Sequence, residues 1–296
     1  MVFAMSRMAG DPLLLYATPG YGLTPAQEAA ITERLGLDKP LAVQYFVWLG
    51  RVFRGDLGET LLDKRNVTAV IGEKWGNSVQ LGIAAWILSV AIGVPLGILS
   101  AVKRGTFWDY FGRAFAVLGT ATPAFWIGLM LIYVFAVELD WLPSGTKYSY
   151  GGFPLAWSNI KHFILPSIVL GWGPAAGFTR ITRSAMLDVL DSEFIKLARA
   201  KGVTNRVVIW KHALKNAAIP PLTLIAVTMA GFITGTVVVE QVFSWPGLGQ
   251  TAVQAVFNND FALLTGIVLI FVIIFGIANL VADLAYGFLD PRIRYS

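Results

Sequence analysis

The stretch EFIKLARAKGVTNRVVIWKHALKNAAIPP, residues 193–221, holds the densest run of positive charge in a mostly apolar chain. Its six basic residues lie on either side of a single glycine, Gly202, and they are Lys196, Arg199, Lys201, Arg206, Lys211 and Lys215. Hydrophobic residues recur at helical spacing from Phe194 to Ala198, and Gly202 stands where a helix ends in the left-handed conformation. Thr204 can cap a second helix, NRVVIWKHALKNA. The spacing therefore predicts two short helices separated by Gly202, rather than a solvated loop.

The composition indicates a membrane protein. Hydrophobic residues make up 56% of the chain and charged residues 14%, whereas soluble domains carry about 25% charged residues. The chain has no cysteine, which excludes disulfides, thiolate metal sites and a cysteine nucleophile. Only His162 and His212 remain as imidazole ligands for a zinc or iron centre. The net charge of +5 arises from basic residues beside apolar runs, which favours membrane orientation over nucleic-acid binding.

Five stretches without Asp, Glu, Lys or Arg have or approach the roughly 20 residues that a helix needs to cross a bilayer. They are Val79–Val102, Ala114–Val137, Phe163–Thr179, Ala217–Val239 and Phe261–Ala282. Pro95, Pro123 and Pro166 fall inside these stretches. Prolines are tolerated in spans where neighbouring helices satisfy the freed backbone groups. The sequence thus predicts a packed bundle rather than isolated anchors.

The distribution of basic residues predicts the orientation of the spans. Eight basic residues lie within 180–216, whereas 138–162 and 240–260 together hold two lysines. The positive-inside rule therefore places 103–113, 180–216 and the C-terminal DPRIRYS in the cytoplasm. Five spans with a cytoplasmic C-terminus put the N-terminal segment outside, although MVFAMSRMAGDP has no features of an export signal.

Residues 11–77 differ from the rest because charged and turn-forming residues are frequent there. TPAQEAAITERLG reads as a short helix with Thr24 as N-cap, Pro25 at N1, Gln27 at N3 and Gly36 past its end. LAVQYFVWLGRVF is apolar with polar interruptions, which favours a helix at the membrane interface. We expect a small extracytoplasmic helical subdomain that is not an enzyme domain.

Motifs for catalysis or nucleotide binding are absent from the sequence, which has no GxxxxGK[ST], HExxH or GxSxG. No charged residue falls in the middle of a predicted span, where ion-coupled transporters need one. The glycine-rich stretches 171–177 and 231–235 predict close helix packing. Thr122, Thr228 and Thr234 either line a path for a polar solute or hydrogen-bond between helices. A polytopic chain without an ion relay or an ATP site is either passive or powered by another protein.

Several motifs resemble one known family. ARAKG followed by HALKNAAIP resembles the cytoplasmic EAA loop of ABC-importer permeases, in the variant of the dipeptide, oligopeptide and nickel importers. The chain departs from the general consensus because it has Lys196-Leu197-Ala198 where EAA would stand. VVVEQVFSWPGLG resembles the E-x-x-F-x-x-P-G-x-G segment of that family, and DPRIRYS its usual ending. MAGDP and LGLDKPLAVQY…GDLG match its opening region, so the resemblance covers nearly the whole chain.

The resemblance implies an all-α polytopic membrane protein with the type I ABC importer permease fold. Five spans are visible, and six are expected with an N-terminal helix of which residues 1–10 would be the end. Residues 11–77 would form the extracytoplasmic subdomain. The transmembrane permease domain would be 78–290, with the cytoplasmic coupling loop at 180–216.

The resemblance also implies which residues act. A coupling helix over Phe194–Val203 would fit a cleft on an ATPase, with contacts from Glu193, Phe194, Leu197, Ala198, Arg199, Ala200, Lys201, Gly202 and Val203. An extracytoplasmic loop or gate would be formed by Glu240, Phe243, Pro246, Gly247 and Gly249. We expect Thr122, Thr228 and Thr234 as candidates to line the solute path. An extracytoplasmic solute-binding protein would contact 11–77 and 240–260.

The resemblance implies a transport subunit without catalytic residues, metal or cofactor of its own. Two ATP-binding subunits would hold ATP and magnesium, and a second homologous permease would complete the path in a bacterial or archaeal cytoplasmic membrane. Di- or oligopeptides are the leading solutes. Nickel complexes, glutathione and oligosaccharides remain alternatives within the family, and a non-transporting scaffold or a secondary transporter are alternatives outside it.

Overall fold

The computed structural model describes residues 24–35, 38–145 and 157–289, and helices form nearly all of the regular structure there. In chain order these helices are α1 (Pro25–Leu35), α2 (Leu41–Val52), α3 (Val67–Val102), α4 (Phe107–Ala121), α5 (Ala124–Leu131, continued by the π-helical turn Ile132–Glu138), α6 (Trp157–Leu190), α7 (Glu193–Ala200), α8 (Asn205–Val207 and Leu214–Ala217, joined by the π-helical turn Val208–Ala213), α9 (Ile219–Thr234), α10 (Val237–Val242), α11 (Leu248–Phe257) and α12 (Phe261–Leu289). The predicted segment 1–10 and the ending DPRIRYS lie outside the described residues.

Helix α1 begins where the sequence predicts. The backbone N–H of Thr24 donates to Gln27 Oε1 at 3.0 Å, and the N–H of Gln27 donates back to Thr24 Oγ1 at 3.4 Å. These two bonds form a capping box, which satisfies two amides that a helix N-terminus leaves free. The helix predicted for LAVQYFVWLGRVF is also present, as α2. Its position at a membrane interface stays a prediction.

Helix α3 begins at Val67 rather than at the predicted Val79. Asn66 is its N-cap, and Asn66 Oδ1 accepts a hydrogen bond of 2.8 Å from the Thr68 backbone N–H. Glu73 is exposed and pairs with Arg65. Its charge does not interrupt the helix, because an exposed charged side chain leaves the backbone hydrogen bonds intact. The boundary predicted between 11–77 and 78–290 therefore falls inside one continuous helix.

Two predicted spans are broken, and their prediction as single helices was wrong. Ala114–Val137 is divided between α4 and α5, whose axes differ by 108°. Pro123 causes this break because it has no N–H and forces extended backbone on Thr122, which has φ −94° and ψ 128°. Ala217–Val239 is likewise divided: Ala217 ends α8, and Gly235 and Thr236 separate α9 from α10.

Helix α6 runs through Pro166 and Pro174 without a break. The predicted span Phe163–Thr179 is therefore the middle of a longer helix that ends at Leu190. Residues 180–190, which the sequence assigned to the coupling loop 180–216, belong to the same helix. Charged side chains such as that of Arg183 leave the helical hydrogen bonds intact. The helix thus extends from the apolar core directly to the region of α7.

Helices α3 and α6 form the most extensive helix pair of the described residues, and α4 and α9 pack against them. Glycines make this close approach possible. A Cβ atom at Gly93 or Gly97 would lie 2.5 or 2.7 Å from a carbonyl oxygen of α6, and one at Gly171 would lie 2.9 Å from a carbonyl oxygen of α3. The close packing predicted for 171–177 is confirmed at Gly171. At Gly231 no atom lies within 4 Å of such a Cβ, so that glycine has no packing role of this kind.

Two helical segments of the described residues, Val67–Val102 and Phe261–Ala282, are long and apolar enough to cross a membrane. The bent pair α4–α5 is a third if it counts as one span. Ile219–Met229 is apolar but shorter. The all-α polytopic fold is thus present, and the predicted number of five spans stays a prediction.

Candidate functional site

The predicted coupling helix is present as α7, with slightly different ends. It begins at Glu193 and ends at Ala200, rather than covering Phe194–Val203. Gly202 has φ +76°, its N–H donates to the Arg199 carbonyl at 2.9 Å, and the Val203 N–H donates to the Ala198 carbonyl at 3.2 Å. These are the two hydrogen bonds of a Schellman motif. The left-handed helix end predicted at Gly202 is confirmed, and it ends α7 before Val203, the last residue of the range that the resemblance implies.

Helix α7 has one buried and one exposed face. Ile195 is completely buried, whereas Phe194 and Leu197 are 46% and 57% exposed. Ile195 belongs to a hydrophobic cluster drawn from the ends of α3 and α6 and from α8; its other buried members are Ile98, Ala101, Ala185, Met186, Val208, Ala213 and Ala217. Ile195 is not among the contact residues that the sequence predicts. This residue anchors α7 to the ends of the long helices.

Helix α8 follows Gly202 and completes this cluster. Thr204 is its N-cap as predicted, but the Thr204 side chain makes no capping hydrogen bond. A π-helical turn over Val208–Ala213 interrupts the α-helix. Val208 and Ala213, at the two ends of this turn, are both buried and belong to the cluster around Ile195. Ala217, at the end of α8, is buried as well, whereas Trp210 is 58% exposed.

A buried carboxylate, Asp109, joins three helices near α7. Asp109 Oδ1 accepts hydrogen bonds from Arg183 Nε at 2.8 Å and from Ser100 Oγ at 3.0 Å. Asp109 Oδ2 accepts one of 2.9 Å from the Gly105 backbone N–H. The ion pair therefore ties the α3–α4 turn to the part of α6 that leads to α7. Sequence reasoning missed this group, because the partners are far apart in the chain.

The predicted gate residues form a second buried cluster around Glu240, which is fully buried on α10. Glu240 Oε1 accepts a hydrogen bond of 2.6 Å from Ser78 Oγ, and Oε2 accepts one of 2.9 Å from the Gln250 backbone N–H. A Cβ atom at Gly247 would overlap the Glu240 carboxylate, and one at Gly249 would lie 2.6 Å from the Val237 Cα. Any larger residue at either position would force neighbouring atoms to shift.

Aromatic residues complete the same loop. Phe243 and Trp245 are 1% and 0% exposed. Trp245 Nε1 donates to the Asn77 carbonyl at 3.1 Å, and Asn77 Nδ2 donates to the Pro246 carbonyl at 2.8 Å. The predicted loop residues Phe243 and Gly247 thus have buried positions in the fold. The two hydrogen bonds with Asn77 hold the segment against α3, and the action of the predicted residues as an outer gate stays a prediction.

A cleft of about 330 Å³ lies between the two broken helix pairs. Its lining comes from the α4–α5 break, from the middle of α6 and from the α9–α10 break. Thr122, one of the predicted path residues, lines this cleft. Thr228 lies elsewhere on α9, where its hydroxyl donates to the Leu224 carbonyl at 2.8 Å. The side chain of Thr234 lies outside the described set. The structure thus brings one of the three predicted threonines to the cleft.

Comparison with known proteins identifies the family. Residues 93–295 match the family described as "Binding-protein-dependent transport system inner membrane component". The chain belongs to this family. It is therefore the permease subunit of an ABC importer, a transport component and not an enzyme.

Relatives of the permease cover nearly its whole length. The oligopeptide transport system permease AppB of Bacillus subtilis is 38% identical over 98% of this chain and 92% of its own. The dipeptide permease DppB of Escherichia coli K12 is 36% identical over 100% of this chain and 93% of its own. The glutathione permease GsiC of Salmonella paratyphi A is 37% identical over 97% of this chain and 90% of its own.

A solved structure supports the fold of the permease. An inward-facing conformation of the MetNI methionine ABC transporter superposes with a TM-score of 0.60, covering 75% of this chain and 96% of the other at 16% identity. This likeness establishes the type I permease fold alone. Together with the family match, it makes the chain a multi-pass membrane subunit.

Proposed function

We propose that this permease imports di- or oligopeptides and that α7 is the helix through which a cytoplasmic ATPase drives it. The observation that carries the proposal is the two-sided burial of α7. Ile195 is completely buried among the ends of the long helices, while Phe194 and Leu197 are about half exposed. A force-transmitting contact needs both features, a rigid anchor on one side and an open apolar face on the other.

The rigid connections between α7 and its neighbours α6 and α8 support its movement as a rigid body. The Schellman motif at Gly202 fixes the angle between α7 and α8 without a flexible linker. The Asp109–Arg183 ion pair stiffens the end of α6 that leads into α7. Movement of α7 as a rigid body would therefore be transmitted to α3, α6 and α8, the elements that share the cluster around Ile195.

Positive charge beside α7 would orient its docking. Arg199 and Lys201 are exposed at its C-terminal end, and Glu193 is neutralised by Lys196 Nζ at 2.6 Å. Charges at the rim of an interface govern encounter and register more than affinity. We infer that Glu193, Phe194, Leu197, Ala198, Arg199, Ala200, Lys201, Gly202 and Val203 form the ATPase contact.

The names of the relatives support peptides as the solute, because two of them are dipeptide and oligopeptide permeases. Glutathione, the solute of a third, is itself a small peptide. Nickel complexes and oligosaccharides are the alternatives. We infer a second permease, two ATPases that bind ATP and magnesium, an extracytoplasmic binding protein and a bacterial cytoplasmic membrane. No cofactor is assigned to this chain.

The test is peptide-stimulated ATP hydrolysis by the assembled transporter in proteoliposomes. Reversing Arg199 and Lys201 to Glu, or replacing Gly202 with Asp, should abolish the stimulation while leaving membrane insertion and subunit assembly measurable. Lys103→Glu, an exposed reversal on the same predicted side but outside α7, is the matched control and should retain stimulation. Full stimulation in the α7 variants would contradict the coupling role. Stimulation by a non-peptide solute alone would contradict the peptide assignment.

A further inference from the structure

The cleft between the broken helices is lined by an unpaired indole N–H and by two carbonyls that lack their usual helical partner. Trp172 Nε1 is buried and has no hydrogen-bond partner in the described part of the chain. Pro123 has no N–H to give to the Gly119 carbonyl, and Pro174 has none for the Leu170 carbonyl, since each proline stands four residues after that carbonyl. Gly119, Leu170 and Trp172 all line the cleft.

These groups lie close together. A Cβ atom on Gly119 would lie 3.6 Å from Trp172 Nε1, and a Cβ atom on Gly173 would lie 3.6 Å from the Gly119 carbonyl oxygen. Ala124, which also lines the cleft, begins α5 directly after Pro123, and no side chain caps the first amides of this helix. One indole donor and two carbonyls without their usual helical partner thus line one small volume. Buried groups of this kind are costly unless something pairs with them.

The lining is also uncharged. Its residues are glycine, alanine, proline, threonine, aliphatic and aromatic residues, without Asp, Glu, Lys, Arg or His. Carboxylate or imidazole ligands for a metal complex are therefore missing from this cleft. Phe125 and Trp172 add aromatic, uncharged surface to the lining.

We propose that this cleft is a transit site for the backbone of the imported peptide; the proposal rests on the peptide function proposed above. An amide backbone presents alternating N–H and C=O groups. The Trp172 indole N–H can donate to a peptide C=O, and the Gly119 and Leu170 carbonyls can accept from peptide N–H groups. Such recognition is independent of peptide sequence. Each hydrogen bond contributes a modest net free energy, so the site can hold a peptide briefly and release it, as conduction requires.

Cysteine protection tests this site, since the chain has no cysteine of its own. Val238→Cys places a thiol at the cleft, and Val227→Cys places one on α9 outside it; the native side chains are 50% and 56% exposed. Alkylation by a maleimide is measured in the assembled transporter with its binding protein, with and without trialanine. We expect trialanine to slow alkylation at 238 at least about threefold and to leave 227 unchanged.

A second variant tests the hydrogen bond itself. Trp172→Phe removes the indole N–H but keeps an aromatic ring against Phe115, whose ring centroid lies 5.0 Å from that of Trp172. In the Val238→Cys background it should raise the trialanine concentration for half-protection about threefold to tenfold, the effect of losing one hydrogen bond. Thr122→Val, whose hydroxyl already donates to the Leu118 carbonyl at 2.7 Å, should change it less.

The outcomes separate this inference from the proposed function. Normal trialanine uptake without protection at 238, or with equal protection at 227, overturns the transit site and leaves the peptide function standing. Protection that Trp172→Phe does not weaken overturns the backbone hydrogen bonding. Failure of trialanine uptake, with uptake of a non-peptide solute instead, overturns both proposals.

Discussion

Ser78 Oγ and Glu240 Oε1 lie 2.6 Å apart in the interior of the permease, although 162 residues separate them in the chain. The same hydroxyl accepts a hydrogen bond of 2.8 Å from the Leu248 backbone N–H. Ser78 therefore joins α3 to both sides of the loop between α10 and α11. The buried carboxylate is held by hydrogen bonds, and the loop depends on them because an unpaired buried charge is costly.

The first prediction concerns the glycine beside this carboxylate. Gly247→Ala should lower the stability of the permease by about 3 kcal/mol, because its Cβ would displace Glu240 from its hydrogen bonds. The measurement is the thermal unfolding of the detergent-solubilised protein. Gly177→Ala is the matched control, since no atom lies within 4 Å of a Cβ there. Equal unfolding temperatures for the two variants would contradict the proposed packing.

The second prediction compares two arginine–aspartate pairs. Arg183→Ala should destabilise the permease by about 3 kcal/mol, because it leaves the buried Asp109 with only the more distant and more exposed Arg113, at 3.7 Å, as a cationic partner. Arg104→Ala removes a pair with Asp191 whose side chains are 63% and 69% exposed, and it should cost less than about 1 kcal/mol. Chemical denaturation measured in the same detergent would compare them. A similar loss for both would show that the Asp109 cluster contributes no more than a surface pair.

Local sequence predicted the helix ends that depend on local bonds. The capping box of Thr24 and Gln27 and the left-handed Gly202 need only residues within a few positions of each other, so their patterns are visible in the sequence. The break at Pro123 was harder to predict, because Pro166 and Pro174 lie inside a continuous helix whereas Pro123 follows the end of one. Whether a proline breaks a span depends on the neighbouring helices, and a single sequence does not specify them.

Burial of charge could not be predicted in the same way. Glu240 follows an apolar stretch, which by itself indicates an outer loop in water. Its burial depends on Ser78 and on backbone amides that only the fold brings near. Asp109 and Arg183 are 74 residues apart for the same reason. Ile195 was missed because Phe194, Ile195 and Leu197 are equally apolar, and packing alone distinguishes the buried one.

The third prediction separates anchoring from docking on α7. Ile195→Ala should destabilise the cluster around α7 by about 2 to 5 kcal/mol and reduce solute-stimulated ATPase activity. Leu197→Ala should reduce the stimulation without changing the unfolding temperature, because Leu197 is 57% exposed. ATPase assays and thermal unfolding on the same preparations would distinguish the two effects. A loss of stability in Leu197→Ala would place that side chain in the core instead.

The fourth prediction concerns the backbone at Gly202. Gly202→Ala should lower the stability of the permease by about 1 kcal/mol, because φ +76° is unfavourable for a residue with a Cβ. Gly202→Asn should lower the stability by less than Gly202→Ala does, since asparagine tolerates the left-handed region. No atom lies within 4 Å of a Cβ at this position, so sterics with neighbours do not contribute. Thermal unfolding should rank the variants glycine, asparagine, alanine; an asparagine variant no better than alanine would contradict the Schellman end.

The last prediction tests the orientation of the permease in the membrane. Asn258, between α11 and α12, and Asn205, at the start of α8, are both exposed, so single cysteines there should be equally reactive in detergent. In intact cells an impermeant maleimide should label Asn258→Cys and spare Asn205→Cys, because basic residues around Asn205 mark the cytoplasmic side. Permeabilised cells, in which both should react, provide the control. Labelling of Asn205→Cys alone in intact cells would invert the orientation and place α7 on the wrong side of the membrane for an ATPase.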